Sequence, residues 1–254
     1  MPADLFGGFA GPILLKQHGI GVVAPFDFAL DRELWRWVPD HVSLYMTRLP
    51  YVPVPMTVEM ATAISDVHAV HRATLDVLTP EPLVVAYSCS SGSFIDGVAG
   101  ERSLVQTIRA AGAPAAVTTS GALTDALHLL GIKRLAIATP YIESVTGRLI
   151  SYLAECGVET ISSMGLGLIS HIWRVSYEEV VQIVRSVDRT DADAMFISCT
   201  NLPTYDIIEP LERALGKPVL TANQVTMWGA LRTMGVEAIG AEQWLVHASR
   251  PSAA

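Results

Sequence analysis

Charge is scarce in this chain, and positive charge scarcer. Only 17% of the 254 residues are Asp, Glu, Lys or Arg, and 17 basic residues stand against 25 acidic ones, a formal net charge of −8. No run of Lys and Arg occurs, so the electrostatic footprint of a nucleic-acid binder is missing and no nucleic-acid partner is expected. No apolar stretch reaches the roughly 18 residues that a membrane-crossing helix needs, so no membrane partner is expected either. Met1–Pro12 lacks a basic segment followed by an apolar core and does not read as a signal peptide. Three cysteines are too few for a disulfide framework in a chain of this length. Without an export signal they are expected as reduced thiols in a cytoplasmic protein. No Cys-x-x-Cys or His-x-x-x-His spacing is present and the seven His are scattered, so no metal site is expected.

What the chain does have is apolar surface to bury: half its residues are hydrophobic, enough for a large core. Short runs rich in β-branched residues alternate with amphipathic stretches. Residues 19–25, 42–49, 83–87, 115–118, 135–139, 158–162, 194–198 and 218–221 read as strands. Helices are predicted over 58–78, 103–111, 123–130, 145–155, 177–187, 207–215 and 225–234, several stopped by glycine (Gly112, Gly131, Gly157, Gly216, Gly235). Apolar strands separated by helices predict α/β architecture with parallel sheets covered on both faces. Ligands in such sheets sit beyond the carboxyl ends of the strands, where 88–93 and 199–201 are expected as polar loops.

The chain also repeats itself. Gly112, Pro114 and Gly131 recur as Gly216, Pro218 and Gly235, each 104 residues on. Each copy follows an apolar strand that runs into Ser-Cys: Ser88-Cys89 and Ser198-Cys199, 110 residues apart. Two flavodoxin-like halves are expected, residues 1–115 plus 221–254 and residues 116–220, with the site in the cleft between them.

A cysteine at a strand end, among free backbone N–H groups and hydroxyls, can bind an anion and is expected to have a lowered thiol pKa. Cys89 stands among Ser88, Ser90, Ser91, Gly92 and Ser93; Cys199 stands among Ser198, Thr200 and Asn201. Such donors bind a carboxylate without Lys or Arg. Two opposed thiols suit proton transfer on opposite faces of a carbon, or addition of one thiolate to an activated double bond while the other moves the proton. A lone strand-end cysteine is ordinarily an inert small hydrophobe; the pairing at repeat-equivalent positions is what points to function. Cys156 has no hydroxyl cluster and no counterpart, and is read as packing. A catalytic pair is expected to alkylate faster than Cys156, whereas a non-catalytic small-acid sensor needs no activated thiol.

Four segments, Tyr87-Ser88-Cys89-Ser90-Ser91-Gly92-Ser93-Phe94, Leu135-Ala136-Ile137-Ala138-Thr139-Pro140-Tyr141, Phe196-Ile197-Ser198-Cys199-Thr200 and Gly216-Lys217-Pro218-Val219, resemble the aspartate/glutamate racemase superfamily. Within it they are most similar to the maleate cis–trans isomerase and arylmalonate decarboxylase branch, over roughly residues 19 to 240. The resemblance implies a cofactor-independent enzyme acting on a small carboxylic acid, with Cys89 as nucleophile and Cys199 as proton donor and acceptor. It further implies that Tyr141, Ser90, Ser91 and Thr200 hold carboxylates, and that the protein is a homodimer or higher homo-oligomer. The decarboxylase has glycine at the first cysteine, so two cysteines favour cis–trans isomerisation of maleate or a related enedioate. The alternatives are amino-acid or hydantoin-type racemisation and arylmalonate-type decarboxylation.

The chain also departs from the isomerase pattern. Pro25-Phe26-Asp27-Phe28 stands where the isomerases carry a Pro-Ser-Ser-Asn motif, and Ser170 and His171 stand where a second substrate-binding Asn is expected. The racemases place an Asp in this first loop, which makes Asp27 a candidate substrate contact; its alternative is a turn or cap residue. His171 reads as a surface or packing residue. Phe26, Phe28, Trp35 and Trp37 either shape the pocket for a bulkier substrate or belong to the core.

Overall fold

The computed structural model describes residues 18–240 and 242–248; the Met1–Pro12 segment lies outside them. The first part of the chain runs through β1 (His18–Ala24), α1 (Asp31–Leu34), β2 (Val42–Arg48), α2 (Val58–Ile64), α3 (Val67–Leu78), β3 (Val84–Tyr87), α4 (Ser90–Phe94), α5 (Gly97–Ala110), β4 (Ala116–Thr118) and α6 (Thr119–Leu129). The second runs through β5 (Arg134–Thr139), α7 (Glu143–Glu155), β6 (Glu159–Gly165), α8 (Tyr177–Val187), β7 (Ala194–Ile197), α9 (Tyr205–Leu215), β8 (Val219–Thr221), α10 (Ala222–Thr233) and α11 (Trp244–Ala248). Single 3₁₀ turns occur at Trp35–Trp37 and Ile172–Arg174.

Every strand pairing is parallel, in two four-stranded sheets of order β2-β1-β3-β4 and β6-β5-β7-β8. The second sheet repeats the first, as the internal repeat predicts, and the 2-1-3-4 order is flavodoxin-like. β3 and β7 are buried at every residue, which is why they read as unbroken apolar runs. The edge strand β6 is different: its sequence is polar, most of it is exposed, and it extends to Gly165, three residues past the expected end.

Two expectations are corrected here. The helix predicted over 58–78 is two helices, because Asp66 leaves helical geometry at ψ 122° and its side chain accepts the Ala69 N–H at 2.9 Å, capping a new helix. The loop predicted over 88–93 is mostly α4. Its serines and glycine carry low helix propensity, but Cys89 sits at its N-cap with Sγ accepting the Gly92 N–H.

The central element is α10. It follows β8 of the second sheet but packs on β3 and β4 of the first, and against α6. Residues 222–231 are all buried, which explains a helix without a polar face. Gly229 faces Ala122 so closely that an added Cβ would stand 2.8 Å from the Ala122 methyl. Thr119 and Thr226 share a hydroxyl hydrogen bond of 2.8 Å in the same seam.

Of the aromatic residues after β1, Phe28 and Trp37 belong to the core, Trp37 donating to Gln243 Oε1 at 2.8 Å. Trp35 is exposed, and Phe26 lines the cleft described below.

Candidate active site

In a 2-1-3-4 sheet the strand order reverses between β1 and β3, and a crevice opens beyond their carboxyl ends. Asp27 follows β1 and Cys89 follows β3; in the second sheet Tyr141 follows β5 and Cys199 follows β7. The four switch-point strands thus aim their following residues into one cavity. Asp27, Cys89, Ser90, Ser91, Tyr141, Cys199 and Thr200, all seven residues singled out from the sequence, line it. Its free volume is about 20 Å³, room for about one water. A wider recess of about 490 Å³ adjoins it and shares Asp27, Met56, Met60 and Ile172.

The two thiols are held alike. Cys89 Sγ accepts the Gly92 N–H and Cys199 Sγ accepts the Asn201 N–H, both at 3.4 Å. Ser91 Oγ lies 3.7 Å from Cys89 Sγ, and the buried Tyr141 lines the cavity together with Cys199. Cys199 has φ +98°, a backbone region that costs a residue with a side chain about 1–3 kcal/mol. Ser90 Oγ accepts the Cys199 N–H at 3.2 Å, bridging the first cysteine's helix to the second cysteine's turn.

The expected lowering of the thiol pKa values is corrected by this environment. Burial pushes the Cys89 thiol up to about 11 and the Cys199 thiol up to about 12. The N–H donors and hydroxyls pull both values back without overcoming burial, and the nearby Asp27 charge adds to the rise. The sequence showed the hydroxyl-rich nests but not that the cavity would lack a cation: among the described residues no Lys, Arg or His lines it. Burial likewise raises the Tyr141 hydroxyl well above its usual value, and raises the Asp27 carboxyl. Cys156, at the end of α7, lines neither the cavity nor the recess.

Other residues matter beyond the seven candidates, among them Asn201, which the sequence marks only as a neighbour of Cys199. Asn201 Oδ1 accepts the Ala29 N–H at 3.0 Å and its amide donates to Asp27 O at 3.2 Å, so it pins the loop after β1. Behind the cavity, the buried Glu33 carboxylate accepts from Thr204 N–H, Thr204 Oγ1 and Asn223 Nδ2. Asn223 also donates to Thr200 O at 2.9 Å, which fixes the turn after Cys199. Met56, Met60, Ile64 and Ile172 form the apolar wall. Only Asn201, two residues past Cys199, offered a local signal. His171 lines the recess rather than the cavity, at φ +54° with Nδ1 2.9 Å from Ser170 Oγ.

Among the described residues no helix is long and apolar enough to cross a membrane. The cavity presents two neutral thiols, one carboxyl and several hydroxyls to whatever small molecule enters it.

The chain has known relatives. Residues 56–244 match the sequence profile of a family described as arylmalonate decarboxylase. The chain is 34% identical over 156 residues to arylmalonate decarboxylase of Bordetella bronchiseptica and 28% identical over 162 residues to maleate isomerase of Geobacillus stearothermophilus. Those alignments take in 60% and 61% of this chain and 65% and 64% of the relatives, less than two thirds of either relative's length. A liganded double mutant of arylmalonate decarboxylase superposes with a TM-score of 0.80 at 28% identity, covering 90% of this chain and 98% of that one. The fold alone is shared with the maleate-bound maleate isomerase of Pseudomonas putida S16, at TM-score 0.84 and 20% identity over 92% of this chain and 99% of the other. With the profile spanning most of its length, the chain belongs to the arylmalonate decarboxylase family.

Proposed function

We propose that the protein is a cofactor-independent cis–trans isomerase of maleate or a related enedioate. The observation that carries this is the pair Cys89 and Cys199, at equivalent ends of β3 and β7 and lining one cavity. The maleate isomerase relatives support it.

The reaction needs one negative charge on the thiol pair, so one proton leaves to solvent first. The Cys89 thiolate forms a bond to one alkene carbon, and the π pair shifts toward the neighbouring carboxyl. Cys199 gives its proton to the other alkene carbon. The former double bond, now single, rotates. The Cys199 thiolate takes a proton back, the C–S bond breaks, and the trans alkene leaves with Cys89 again a thiolate. Tyr141, Ser91 and Thr200 would hold substrate carboxyl oxygens through their hydroxyls, with Ser90 doing so while accepting from Cys199. A buried, neutral Cys199 suits the proton-donating half of this cycle.

Arylmalonate-type decarboxylation is the second reading, supported by the 34% identity to the decarboxylase and by the largely apolar recess beside the thiols. Cys199 alone would then protonate the enediolate. Racemisation of an amino acid or hydantoin, with the thiols as opposite-face acid and base, is the third, and Asp27 supports it. We also read residues 1–115 plus 221–254 and residues 116–220 as the two halves, and the protein as a cytoplasmic homodimer or higher homo-oligomer. Family membership and the high apolar content support the last.

Proton NMR of the protein with maleate, beside Cys89→Ala and Cys199→Ala, tests the main reading. Fumarate from the wild type, lost in both variants, is the expected result. If maleate is untouched while arylmalonate loses carbon dioxide, or an amino acid exchanges its α-proton for deuterium, the isomerase reading gives way to the corresponding alternative.

A further inference from the structure

We propose that Glu33, acting through Asn223, is a positioning residue for Cys199: its buried carboxylate locks the strained turn that carries this thiol. This rests on the reading above only for the proton-transferring role of Cys199, which the three reactions considered there share.

The two repeat-related cysteines stand on different backbones. Cys89 has φ −151°, in the ordinary β region, whereas Cys199 has φ +98°, where a side chain is strained. A strained conformation persists only where its surroundings over-determine it. The Cys199 turn therefore needs the firmer hold of the two.

The hold falls on the carbonyl of the residue after each cysteine. In the first half, Ser93 Oγ donates to Ser90 O at 2.8 Å and shares a 2.6 Å hydroxyl hydrogen bond with Ser120. In the second, Asn223 Nδ2 donates to Thr200 O at 2.9 Å and to Glu33 Oε1 at 3.1 Å. Ser120 and Asn223 are each the second residue of a helix, α6 and α10, so the repeat puts them in equivalent places. The backing differs: hydroxyls alone behind Cys89, a carboxylate behind Cys199. A hydrogen bond to an ionised acceptor is roughly twice as strong as a neutral one.

The carboxylate also sets which way the amide faces. Glu33 and Thr200 O both accept, so Asn223 must turn Nδ2 to both, and its buried Oδ1 has no partner among the described residues. Glu33 is itself anchored, Oε2 accepting the Thr204 N–H at 2.9 Å and Oε1 accepting Thr204 Oγ1 at 2.8 Å. Glu33→Gln brings an amide donor to face either the Thr204 N–H, which cannot reverse, or Asn223, which can. Asn223 then turns Oδ1 to the new donor, Thr200 O loses its bond, and the strained turn relaxes.

Iodoacetamide labelling at pH 8, resolved by peptide mass spectrometry and stopped early in the reaction, tests this without turnover. Glu33→Gln is expected to raise the Cys199 rate at least fivefold and to leave the Cys89 rate within about twofold. Ser120→Ala is expected to do the opposite, raising Cys89 and leaving Cys199. Asn223→Ala is expected to match Glu33→Gln, and the double variant to go no further than either, because the two residues act as one chain. With maleate, Glu33→Gln is expected to lower turnover at least tenfold and to enlarge its solvent deuterium isotope effect, since the misplaced thiol transfers its proton more slowly.

An unchanged Cys199 labelling rate in a folded Glu33→Gln protein overturns the proposal. So do equal changes at both cleft thiols, which would mean general loosening, and effects of Glu33→Gln and Asn223→Ala that multiply. If Glu33→Gln does not fold, Asn223→Ala set against Ser120→Ala decides. The crossed labelling pattern in a protein that forms no fumarate sinks the isomerase reading alone. Fumarate from the wild type, with Cys199 labelling and turnover both unmoved by Glu33→Gln, sinks this proposal alone.

Discussion

The backbone N–H of Cys199 donates to Ser90 Oγ at 3.2 Å, across 109 residues of sequence and from one sheet's switch point to the other's. The serine beside one thiol therefore fixes the backbone of the other thiol. It also sets the direction of the Ser90 hydroxyl: its lone pair is engaged, and its proton remains to be given.

Ser90→Ala leaves the buried Cys199 N–H without its acceptor. A loss of about 1–3 kcal/mol in stability is expected, read as a melting temperature several degrees lower, together with a fall in turnover of at least tenfold. A melting curve and turnover both equal to wild type would show that the bridge holds nothing.

The positive φ of Cys199 predicts an unusual order of stabilities. Cys199→Ala keeps a Cβ at φ +98°, whereas Cys199→Gly relieves that strain and offsets the ~1 kcal/mol entropic cost of glycine. Both lose activity, but the glycine variant is expected to be at least as stable in urea denaturation. A glycine variant clearly less stable than the alanine one would remove strain from the account.

Raised thiol pKa values fix the sign of the pH dependence. With Cys89 near 11 and Cys199 near 12, the thiolate needed for attack is rare at neutral pH and grows about tenfold per pH unit. On the proposed reaction, kcat/KM is expected to climb with pH through neutrality without levelling below about pH 9. Buried and protonated, the cleft thiols are no longer expected to alkylate ahead of Cys156. The half-buried Cys156 thiol is expected to react with iodoacetamide first, so the order of alkylation does not separate an enzyme from a sensor. A plateau at or below about pH 8 would mean that the free enzyme holds a thiolate that this cavity does not favour.

Glu212 supplies a stability switch far from the chemistry. Its buried carboxylate accepts the Val219 and Trp244 N–H groups, both at 3.1 Å, and burial raises its pKa from 4.5 to about 7. The folded state thus holds a proton that the unfolded state releases above about pH 4.5. This contribution is complete at lower pH and is lost as pH rises from about 4.5 towards 7, by an amount of order 1–3 kcal/mol. Glu212→Gln keeps an acceptor and removes the charge. It is expected to raise the melting temperature at pH 8 and to leave it nearly unchanged at pH 4.5. Equal effects at both values would show that the carboxylate is not titrating in this window.

Gly92 is pressed by the Tyr87 hydroxyl, which donates to Ile64 O at 2.7 Å and occupies the space a Cβ would need. Gly92→Ala must move either that hydroxyl or α4, whose N-cap is Cys89. A destabilisation of about 1–3 kcal/mol and a loss of turnover are expected; an unperturbed variant would show that α4 shifts freely.

Sequence alone determined the α/β class, the parallel strands, the duplicated half and the two strand-end cysteines with their hydroxyl neighbours. These are matters of linear pattern: runs of β-branched residues and glycine stops are visible within short windows, and the repeat appears when segments 104 residues apart are compared. Seven residues marked in this way, from Asp27 to Thr200, line one cavity because the switch-point strands deliver them there. The split at Asp66 and the helix at Ser90–Phe94 escaped because each is decided by one capping contact, the Asp66 carboxylate on Ala69 N–H and the Cys89 sulfur on Gly92 N–H. Only the tertiary structure decided the upward shift of both thiols, the Asn201 clamp on the Asp27 loop, the Glu33–Asn223–Thr200 chain behind the cavity and the burial of α10 against β3, β4 and α6. Each depends on segments that meet only after folding. Desolvation and hydrogen bonding are set by whichever groups become neighbours in space, and a linear pattern does not contain them.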